Sequence, residues 1–497
     1  MAVIVPPPSA APPGPDAGVI ADARRRRQRR RRGLAGAGVI ALLVLAGGVY
    51  AAVDGGGAAH GSAANGSVGE PQRCPDRSLG VLAFTLLDTG ALETVDLRDC
   101  RTHVIVRGGV GTGTPVFSPR GDYVAFDGGW VATAGGPVHL TPGAEPAFSP
   151  DGRLVGYGRD VAPVGGGAHE RLPATFLAWL PGGNLLMQAR PGFPDSGPLE
   201  LREPDGATRA LTPAGWQSWF GGVAPDGRTA VVEHFASLSG SHPPEGGQLW
   251  VIDLATGARR LIYSEPSSLE GGFLDVGFAP DSRWVLFSVD PGGSADLPAD
   301  GVPHYAAGVP AGGLHTIATF IGGNDAWCGG SLVYVIDNAG RFVTDGDGIA
   351  TTSPPAWVSH AIVPAKGATS FSEFACRPGG GGAATLALAG GPSSQDSPFG
   401  REDRSLWLAP ASPGARAQRL AASAPPRGDT DELPMWSANG HWLLFVRTRP
   451  SNISGQGTLE ALDVSSGRLV GPIAAVGFTG NYYGTYGWSG QIAWYRQ

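Results

Sequence analysis

The sequence is poor in charged residues, in lysine and in cysteine. Charged residues make up 16% of its 497 residues, there are four cysteines, and Lys366 is the single lysine. Hydrophobic residues still make up 42%, so the chain can bury a core. Gly 80 and Pro 44 mostly separate short apolar runs, which indicates many turns between many strands.

Positive charge is scarce outside one segment near the N-terminus. Eight of the 36 basic residues fall within residues 24–32, and the chain after residue 33 carries a net charge of about −13. Binding to nucleic-acid phosphates needs clustered Lys and Arg. We therefore expect no nucleic-acid partner.

Common catalytic and metal-binding motifs are also absent. There is no G-x-S-x-G elbow, no HExxH and no histidine pair at helical spacing. We interpret the proximity of His304 and His315 in the sequence as chance. Asp345 and Asp347 hint at calcium, but the other oxygen ligands of a calcium loop are missing, so a hairpin turn is the preferred interpretation. We expect no catalytic residue, no metal site, no cofactor and no enzymatic activity.

Only one long hydrophobic run is present. Residues 34–53 contain no charge, and a helix of that length spans about 30 Å, the thickness of a bilayer core. The arginines before it predict an N-terminus in the cytoplasm and a single-pass membrane anchor. A cleaved signal peptide followed by secretion, or a buried soluble helix, are the alternatives. Residues 1–33 are then a disordered cytoplasmic tail rich in Pro and Arg, and residues 54–80 a flexible Gly/Ala/Ser linker.

The four cysteines lie on the exported side of this segment. A small even number in that location favours disulfides over free thiols or a metal site. Of the three pairings, we favour the one that joins cysteines close in sequence, Cys74–Cys100 and Cys328–Cys376.

A ten-residue pattern recurs along the exported part. An aromatic or apolar residue ends one strand, a Ser/Ala-Pro-Asp-Gly turn follows, and an apolar run forms the next strand. Clear copies begin at Phe117, Phe148, Val223, Phe278 and Trp436, weaker ones at Trp179 and Trp488, and degenerate ones at Trp327 and Phe374. The turn residues expected to shape these corners are Pro119, Gly121, Pro150, Asp151, Gly152, Pro225, Asp226, Gly227, Pro280 and Asp281.

Two further strand-like pieces lie between successive copies, so each unit has four antiparallel strands. Four-stranded sheets repeated around an axis form a β-propeller. The pattern FSPDGRLVGY, with following strands such as LWVIDLATG, resembles the repeats of TolB-type propellers, relatives of WD-repeat blades. The resemblance covers residues 81–497 and implies an all-β propeller, for which we expect eight blades, with seven as the alternative. The chain starts and ends in incomplete units, so both termini are expected to share one blade.

These features predict a membrane-anchored, extracytoplasmic binding platform in a bacterial cell envelope. Its expected ligands are envelope proteins, peptides or glycans. The long insertions 234–247 and 288–313 are expected to rise from one face and to carry binding, as loops on rigid scaffolds commonly do. The aromatic segment 481–488 is interpreted as core, with a protein or glycan contact as the alternative. A polysaccharide lyase or hydrolase acting at the propeller mouth and a transmembrane sensor are the alternative functions.

Overall fold

The fold is described here from a computed structural model. Its described residues are 74, 79–86, 89–110, 114–141, 145–189, 197–235, 247–265, 273–289, 302–309, 313–320, 325–336, 348–363, 369–378, 385–392, 404–448, 454–479 and 492–495. The membrane anchor expected at residues 34–53, the tail before it and most of the linker lie outside them. Within the described ranges, no helix is both long and apolar enough to cross a membrane.

The described chain forms nine antiparallel sheets, each of four strands. Eight sheets are built from strands consecutive in the chain, and one combines the first three strands with the last. We call the sheets blades 1 to 9 and number the strands β1 to β36 along the chain. The strands of blade 1 are β1 (Val81–Leu86), β2 (Ala91–Asp96), β3 (Arg101–Val106) and β36 (Ile492–Tyr495).

Blades 2 to 5 follow in chain order, and each runs from its innermost to its outermost strand. Blades 2 and 3 contain β4 (Val116–Phe117), β5 (Tyr123–Phe126), β6 (Gly129–Ala132), β7 (His139–Leu140), β8 (Ala147–Phe148), β9 (Leu154–Tyr157), β10 (Asp160–Pro163) and β11 (Glu170–Arg171). Blades 4 and 5 contain β12 (Thr175–Trp179), β13 (Leu185–Gln188), β14 (Leu199–Arg202), β15 (Thr208–Ala210), β16 (Gln217–Val223), β17 (Thr229–Phe235), β18 (Gln248–Asp253) and β19 (Arg259–Ser264).

Blades 6 to 9 complete the ring, and two short 3-10 helices, Pro181–Gly183 and Ala421–Ser423, lie between strands. Blades 6 and 7 contain β20 (Phe273–Phe278), β21 (Trp284–Val289), β22 (Val302–Gly308), β23 (Leu314–Phe320), β24 (Asp325–Cys328), β25 (Ser331–Ile336), β26 (Gly348–Thr352) and β27 (His360–Val363). Blades 8 and 9 contain β28 (Thr369–Cys376), β29 (Thr385–Pro392), β30 (Ser405–Pro410), β31 (Gln418–Arg419), β32 (Thr430–Trp436), β33 (Trp442–Thr448), β34 (Ser454–Asp463) and β35 (Leu469–Thr479).

The core is divided among the interfaces between neighbouring blades. Nine hydrophobic clusters each join two adjacent blades. At the interface between blades 9 and 1, Leu444 and Val446 of blade 9 pack against Leu82 and Phe84 of blade 1. The ring is therefore closed. The first strands of neighbouring blades, such as β28 and β32, contact each other and therefore lie innermost. The chain is a closed β-propeller, and the propeller fold expected from the sequence is confirmed.

The blade number expected from the sequence is wrong, since the ring has nine blades and not eight or seven. The degenerate units at Trp327 and Phe374 each open a complete blade. In the first of these, Gly329 takes a φ of 65° in the short turn between β24 and β25. A blade is held by ladder hydrogen bonds that any backbone can form, so it does not require the Pro-Asp-Gly corner.

The two ends of the described chain close the ring together, as expected from their incomplete units. Strand β36 pairs with β1 over four residues, from Ile492 opposite Phe84 to Tyr495 opposite Val81. The indole Nε1 of Trp494 donates a hydrogen bond of 2.6 Å to the carbonyl oxygen of Leu79. Leu79 is buried in the core between blades 9 and 1, so the packed structure begins before β1.

The direction of the strands gives the propeller two different faces. Because successive strands are antiparallel, the turns after the first and third strands of each blade lie on one face, which we call the turn face. The connections after the second and fourth strands lie on the opposite face, which we call the loop face. Residues 236–246 and 290–301 join second to third strands in the adjacent blades 5 and 6. The connection within the predicted insertion 234–247 therefore leaves the loop face, as does the first part of 288–313. The prediction of one continuous insertion over 288–313 is wrong, because Val302–Gly308 form strand β22.

Candidate functional site

The corner residues predicted from the repeat lie on the turn face. Gly121, Gly152 and Gly227 have φ values of 75°, 69° and 70°, the left-handed region that glycine adopts at little cost. The carboxylates of the corner aspartates accept hydrogen bonds from backbone N–H groups two residues later, at 3.1 Å for Asp151, 3.0 Å for Asp226 and 2.9 Å for Asp281. The prolines that precede these turns are Pro119, Pro150, Pro225 and Pro280. These residues shape tight turns.

The turn that contains Gly121 also packs against the strand that closes the ring. A Cβ atom on Gly121 would lie 2.3 Å from the ring of Tyr495 in the closing strand β36. Tyr495 also contacts Phe117 with ring centroids 5.6 Å apart. A side chain at position 121 would therefore push against the closing strand.

Both expected disulfides are present. Cys74–Cys100 links the chain before β1 to the turn between β2 and β3, with Cα atoms 5.7 Å apart. Cys328–Cys376 joins the ends of β24 and β28, the innermost strands of blades 7 and 8, with Cα atoms 5.5 Å apart. One disulfide therefore fixes the N-terminal connection onto blade 1, and the other connects two neighbouring blades.

The remaining residues singled out in the sequence are dispersed. His304 is buried in β22 opposite Ser288, whereas His315 lies in β23 with its ring 5.4 Å from that of Trp284. Asp345, Asp347 and the aromatic segment 481–488 lie outside the described residues. Within the described ranges, no group of three or more His, Cys, Asp and Glu side chains is placed to hold a metal ion.

A buried polar row crosses blade 9 at its interface with blade 8. Arg447 of β33 donates from Nε to Oδ1 of Asp431 in β32 at 2.7 Å and from Nη2 to Oδ2 at 3.1 Å. Its Nη1 lies 3.0 Å from Oε2 of Glu460 in β34. Nη2 also donates to the carbonyl oxygen of Ser423 at 2.8 Å. One guanidinium thus connects three strands of blade 9 to the chain leaving blade 8.

The same interface contains a second polar connection. Leu433 has a φ of 52° at an irregularity in the pairing of β32 with β33. Its N–H donates a hydrogen bond of 2.6 Å to Oε2 of Glu373 in β28, the innermost strand of blade 8. Bulges of this kind redirect backbone groups, and here the bulge places an N–H toward a carboxylate of the neighbouring blade.

Burial shifts the pKa values of the two carboxylates in the polar row. Burial raises the pKa of Asp431 to about 7, although the hydrogen bonds and charge of Arg447 act in the opposite direction. Burial also raises the pKa of Glu460, and Arg447 opposes that shift as well. Two carboxylates thus share one guanidinium away from water, and the negative charge of Asp429 adds to both shifts.

We expect the stability of the protein to depend on the protonation of Asp431. Its pKa is raised to about 7 in the folded state, whereas an unfolded Asp has a pKa of about 3.9. The folded state therefore holds a proton that the unfolded chain has released. The stabilisation from this proton is complete below about pH 4 and is lost as the pH rises through about 7.

Chemical denaturation at pH 5 and pH 8 tests this dependence with Asp431→Asn. The free energy of unfolding of the wild type relative to this variant should fall by about 1–3 kcal/mol between the two pH values. Asp463→Asn is the matched control, because hydrogen bonds led by that from Ser465 lower the pKa of Asp463 to about 2. A wild-type advantage over Asp431→Asn that stays constant with pH would show that Asp431 does not bind the proton.

A second group of side chains lies at the interface between blades 4 and 5. Trp216 precedes β16, and its ring stacks on that of His234 with centroids 4.3 Å apart and planes 14° apart. Trp250 of β18 tilts against Trp216 at 5.2 Å, and Cζ of Arg259 lies 5.3 Å from the centroid of the Trp216 ring. We call these residues, together with Gln248, the blade 5 groove. All five are partly or fully exposed to solvent.

Neither the polar row nor the blade 5 groove was predicted from the sequence. Asp431, Arg447 and Glu460 lie on three different strands, and no short motif connects them. Trp216 and Arg259 come from opposite edges of one blade. A buried charge next to apolar strand residues, as in the segment WLLFVRT, is the one local signal that indicates a paired arginine.

Comparisons with known proteins identify similar solved structures, but no matching family and no curated relative. No protein-family model matches the sequence, and a search of curated proteins also finds no match. Similar solved structures include dihydro-heme d1 dehydrogenase NirN, at 17% identity over 86% of this chain and 78% of that one, with a TM-score of 0.44. Oligogalacturonate lyase from Vibrio parahaemolyticus is 13% identical over 75% and 95% of the two chains, with a TM-score of 0.38.

TolB from Acinetobacter baumannii is also among the similar structures. It is 16% identical over 71% of this chain and 81% of that one, with a TM-score of 0.28. Similarities at this level carry no argument about activity. The fold rests on the strand pairing of this chain, which is a nine-bladed propeller of four-stranded antiparallel blades.

Proposed function

We propose that this protein is a membrane-anchored, extracytoplasmic propeller that binds envelope proteins, peptides or glycans without altering them chemically. Residues 34–53 would hold it in the membrane, and the linker that follows would present the ring outside the cytoplasm. The observation that carries the proposal is the position of the two long insertions. They leave the same face of adjacent blades, on a ring held by packing at every interface.

The rigidity of the ring supports a role in presenting a binding surface. Disulfides fix the N-terminal connection to blade 1 and blade 7 to blade 8. Each blade packs against a neighbour on both sides, so the positions at which the loop-face connections begin and end are set by the packed ring. Loops held in this way lose less conformational entropy on binding than loops on a mobile support.

Site-specific photo-crosslinking in intact cells tests the proposal. A photoreactive residue would replace Ser264 or Thr319, which are exposed near the loop-face ends of blades 5 and 6, and Arg228 or Arg283 on the turn face of the same blades as matched controls. We expect crosslinks to a reproducible envelope component from the loop-face positions and few from the turn face. Equal crosslinking from both faces would contradict a loop-face platform.

Fractionation of the same cells tests the anchor. The full-length chain should remain in the membrane fraction after carbonate extraction, and its propeller should be digested by protease added outside the cytoplasmic membrane. Recovery of a shortened chain in the soluble fraction would indicate the alternative, secretion after signal cleavage. A ligand that is chemically changed during incubation with the purified protein would indicate the enzymatic alternative.

A further inference from the structure

The blade 5 groove lies beside the short outer strand of blade 4. Strand β15 has three residues, whereas β19 of blade 5 has six. His234 pairs with Gln248 across β17 and β18, and Trp250 pairs with Leu261 across β18 and β19. Leu261 is 41% exposed. Trp216 and Trp250 pack partly against the core between blades 4 and 5, so the flank of blade 5 that faces blade 4 carries a partly exposed aromatic and aliphatic surface.

The polar groups of the groove are held in fixed orientations. Nδ1 of His234 lies 3.0 Å from the carbonyl oxygen of Gln217, which can only accept, so Nδ1 carries the proton. Burial lowers the pKa of His234, and the hydrogen bond to Gln217 opposes this shift. The neutral ring thus presents Nε2 as an acceptor. Oε1 of Gln248 accepts from Nε1 of Trp250 at 3.0 Å, which leaves the amide NH₂ of Gln248 as a donor.

Arginine gives the groove a positive charge. Arg259 lies over the Trp216 ring, and within the described ranges no carboxylate lies within ion-pair distance of it. Arg209 of β15 approaches from the blade 4 side and donates from Nη2 to the carbonyl oxygen of Leu254. A guanidinium beside an indole can form a bidentate pair with a carboxylate while the indole packs against an apolar ring face.

From this arrangement we propose that the blade 5 groove binds an acidic saccharide. The indole of Trp250 would pack against the C–H face of a sugar ring. Trp216, which stacks on His234 and lies under Arg259, would hold Arg259 in place to pair with the carboxylate of that sugar. Nε2 of His234 and the amide of Gln248 would accept from and donate to ring hydroxyls. This inference rests on the proposed function, because it names the ligand class of one surface of the binding platform.

Isothermal titration calorimetry on the detergent-solubilised full-length chain tests the inference. The probes are a hexamer of alginate, in which every sugar carries a carboxylate, and the same hexamer after reduction of its carboxyl groups to alcohols. The alginate hexamer should bind at least tenfold more tightly than the reduced form. Comparable affinities would contradict the part assigned to Arg259.

Three variants locate the binding. Trp216→Ala should weaken binding of the alginate hexamer at least tenfold, and Arg259→Gln should weaken it about tenfold while changing binding of the reduced hexamer less than twofold. Arg468→Gln is the matched control, because Cζ of Arg468 lies 5.0 Å from the Trp442 ring elsewhere in the propeller. Its affinity should equal that of the wild type. Thermal unfolding of each variant shows whether the ring is intact, and Arg259→Gln keeps the test decisive if Trp216→Ala does not fold.

The outcomes of these experiments distinguish failure of the saccharide site from failure of the proposed function. No binding of the alginate hexamer, or binding that neither Trp216→Ala nor Arg259→Gln weakens, would overturn the saccharide site. If the crosslinked envelope component is retained in that case, the platform stands without this ligand. If the hexamer binds as expected but no crosslink forms at the loop face, the groove stands and the broader proposal is wrong.

Discussion

Removal of residues 492–497 is expected to destabilise the whole ring. The deletion takes away β36, so β1 becomes a free edge and the core between blades 9 and 1 loses Ile492 and Trp494. The loss of one buried isoleucine alone costs about 2–5 kcal/mol. With the ladder and the Trp494 hydrogen bond also lost, we expect the free energy of unfolding to fall by about 5 kcal/mol, which lowers the midpoint of thermal unfolding of a ring of this size by about 6 °C.

Thermal unfolding and limited proteolysis measure this effect. The matched control is a chain that lacks only residues 496 and 497, which retains β36 and should unfold like the full chain. Proteolysis of the larger deletion should begin in blades 1 and 9, where sheet edges and core are newly exposed. Equal unfolding midpoints for the two deletions would show that β36 does not close the ring.

Replacement of Arg447 by methionine is expected to have the second large effect. It leaves Asp431 and Glu460 buried at the interface between blades 8 and 9 without their cation. Breaking a buried ion pair from one side costs about 3–5 kcal/mol, because the remaining charge stays desolvated. The loss should be larger at pH 8 than at pH 5, since both carboxylates have raised pKa values and protonation relieves their repulsion.

Two further variants test whether the loss of stability comes from unpaired buried charge or from disrupted packing. The combination Asp431→Leu, Arg447→Met and Glu460→Leu replaces the whole row by apolar groups, and its stability should lie within about 1–2 kcal/mol of the wild type or exceed it. Arg153→Met breaks the exposed pair with Asp151, whose side chains are 75% and 57% exposed, and should leave the stability close to that of the wild type because solvent screens the pair. A triple variant as unstable as Arg447→Met would mean that packing, and not unpaired charge, causes the loss.

The tight turn of each clear copy of the repeat could be predicted from the sequence. The segments at Phe117 and Phe148 combine proline and glycine with apolar runs, and these residues determine a tight turn between two strands whatever surrounds them. The clear and weaker copies alone give seven units, and the ring has nine blades because the degenerate copies at Trp327 and Phe374 open blades as well. The corner at Trp327 lacks the motif, yet its strands pair because the neighbouring blades bury them.

For the two polar sites as well, single residues could be recognised in the sequence but their contacts could not be predicted. Arg447 and Trp216 are each recognisable as a large side chain in an apolar context, but their partners lie on other strands or across a blade interface. The sheet register that brings Asp431 opposite Arg447 is set by which side chains face the core. Their juxtaposition is therefore a property of the assembled blades.

The sequence alone predicts the four-stranded repeat, the ring that this repeat implies and the shared terminal blade, and it favours the cysteine pairing that the structure shows. These depend on turn residues, alternating apolar residues and short separations along the chain, all of which act locally. The folded structure was needed to show that the degenerate units also form blades, which makes nine, that Arg447 connects three strands, and that Trp216 and Arg259 meet in one groove. Contacts between distant residues depend on how neighbouring blades pack and on strand register, and a one-dimensional pattern does not specify either.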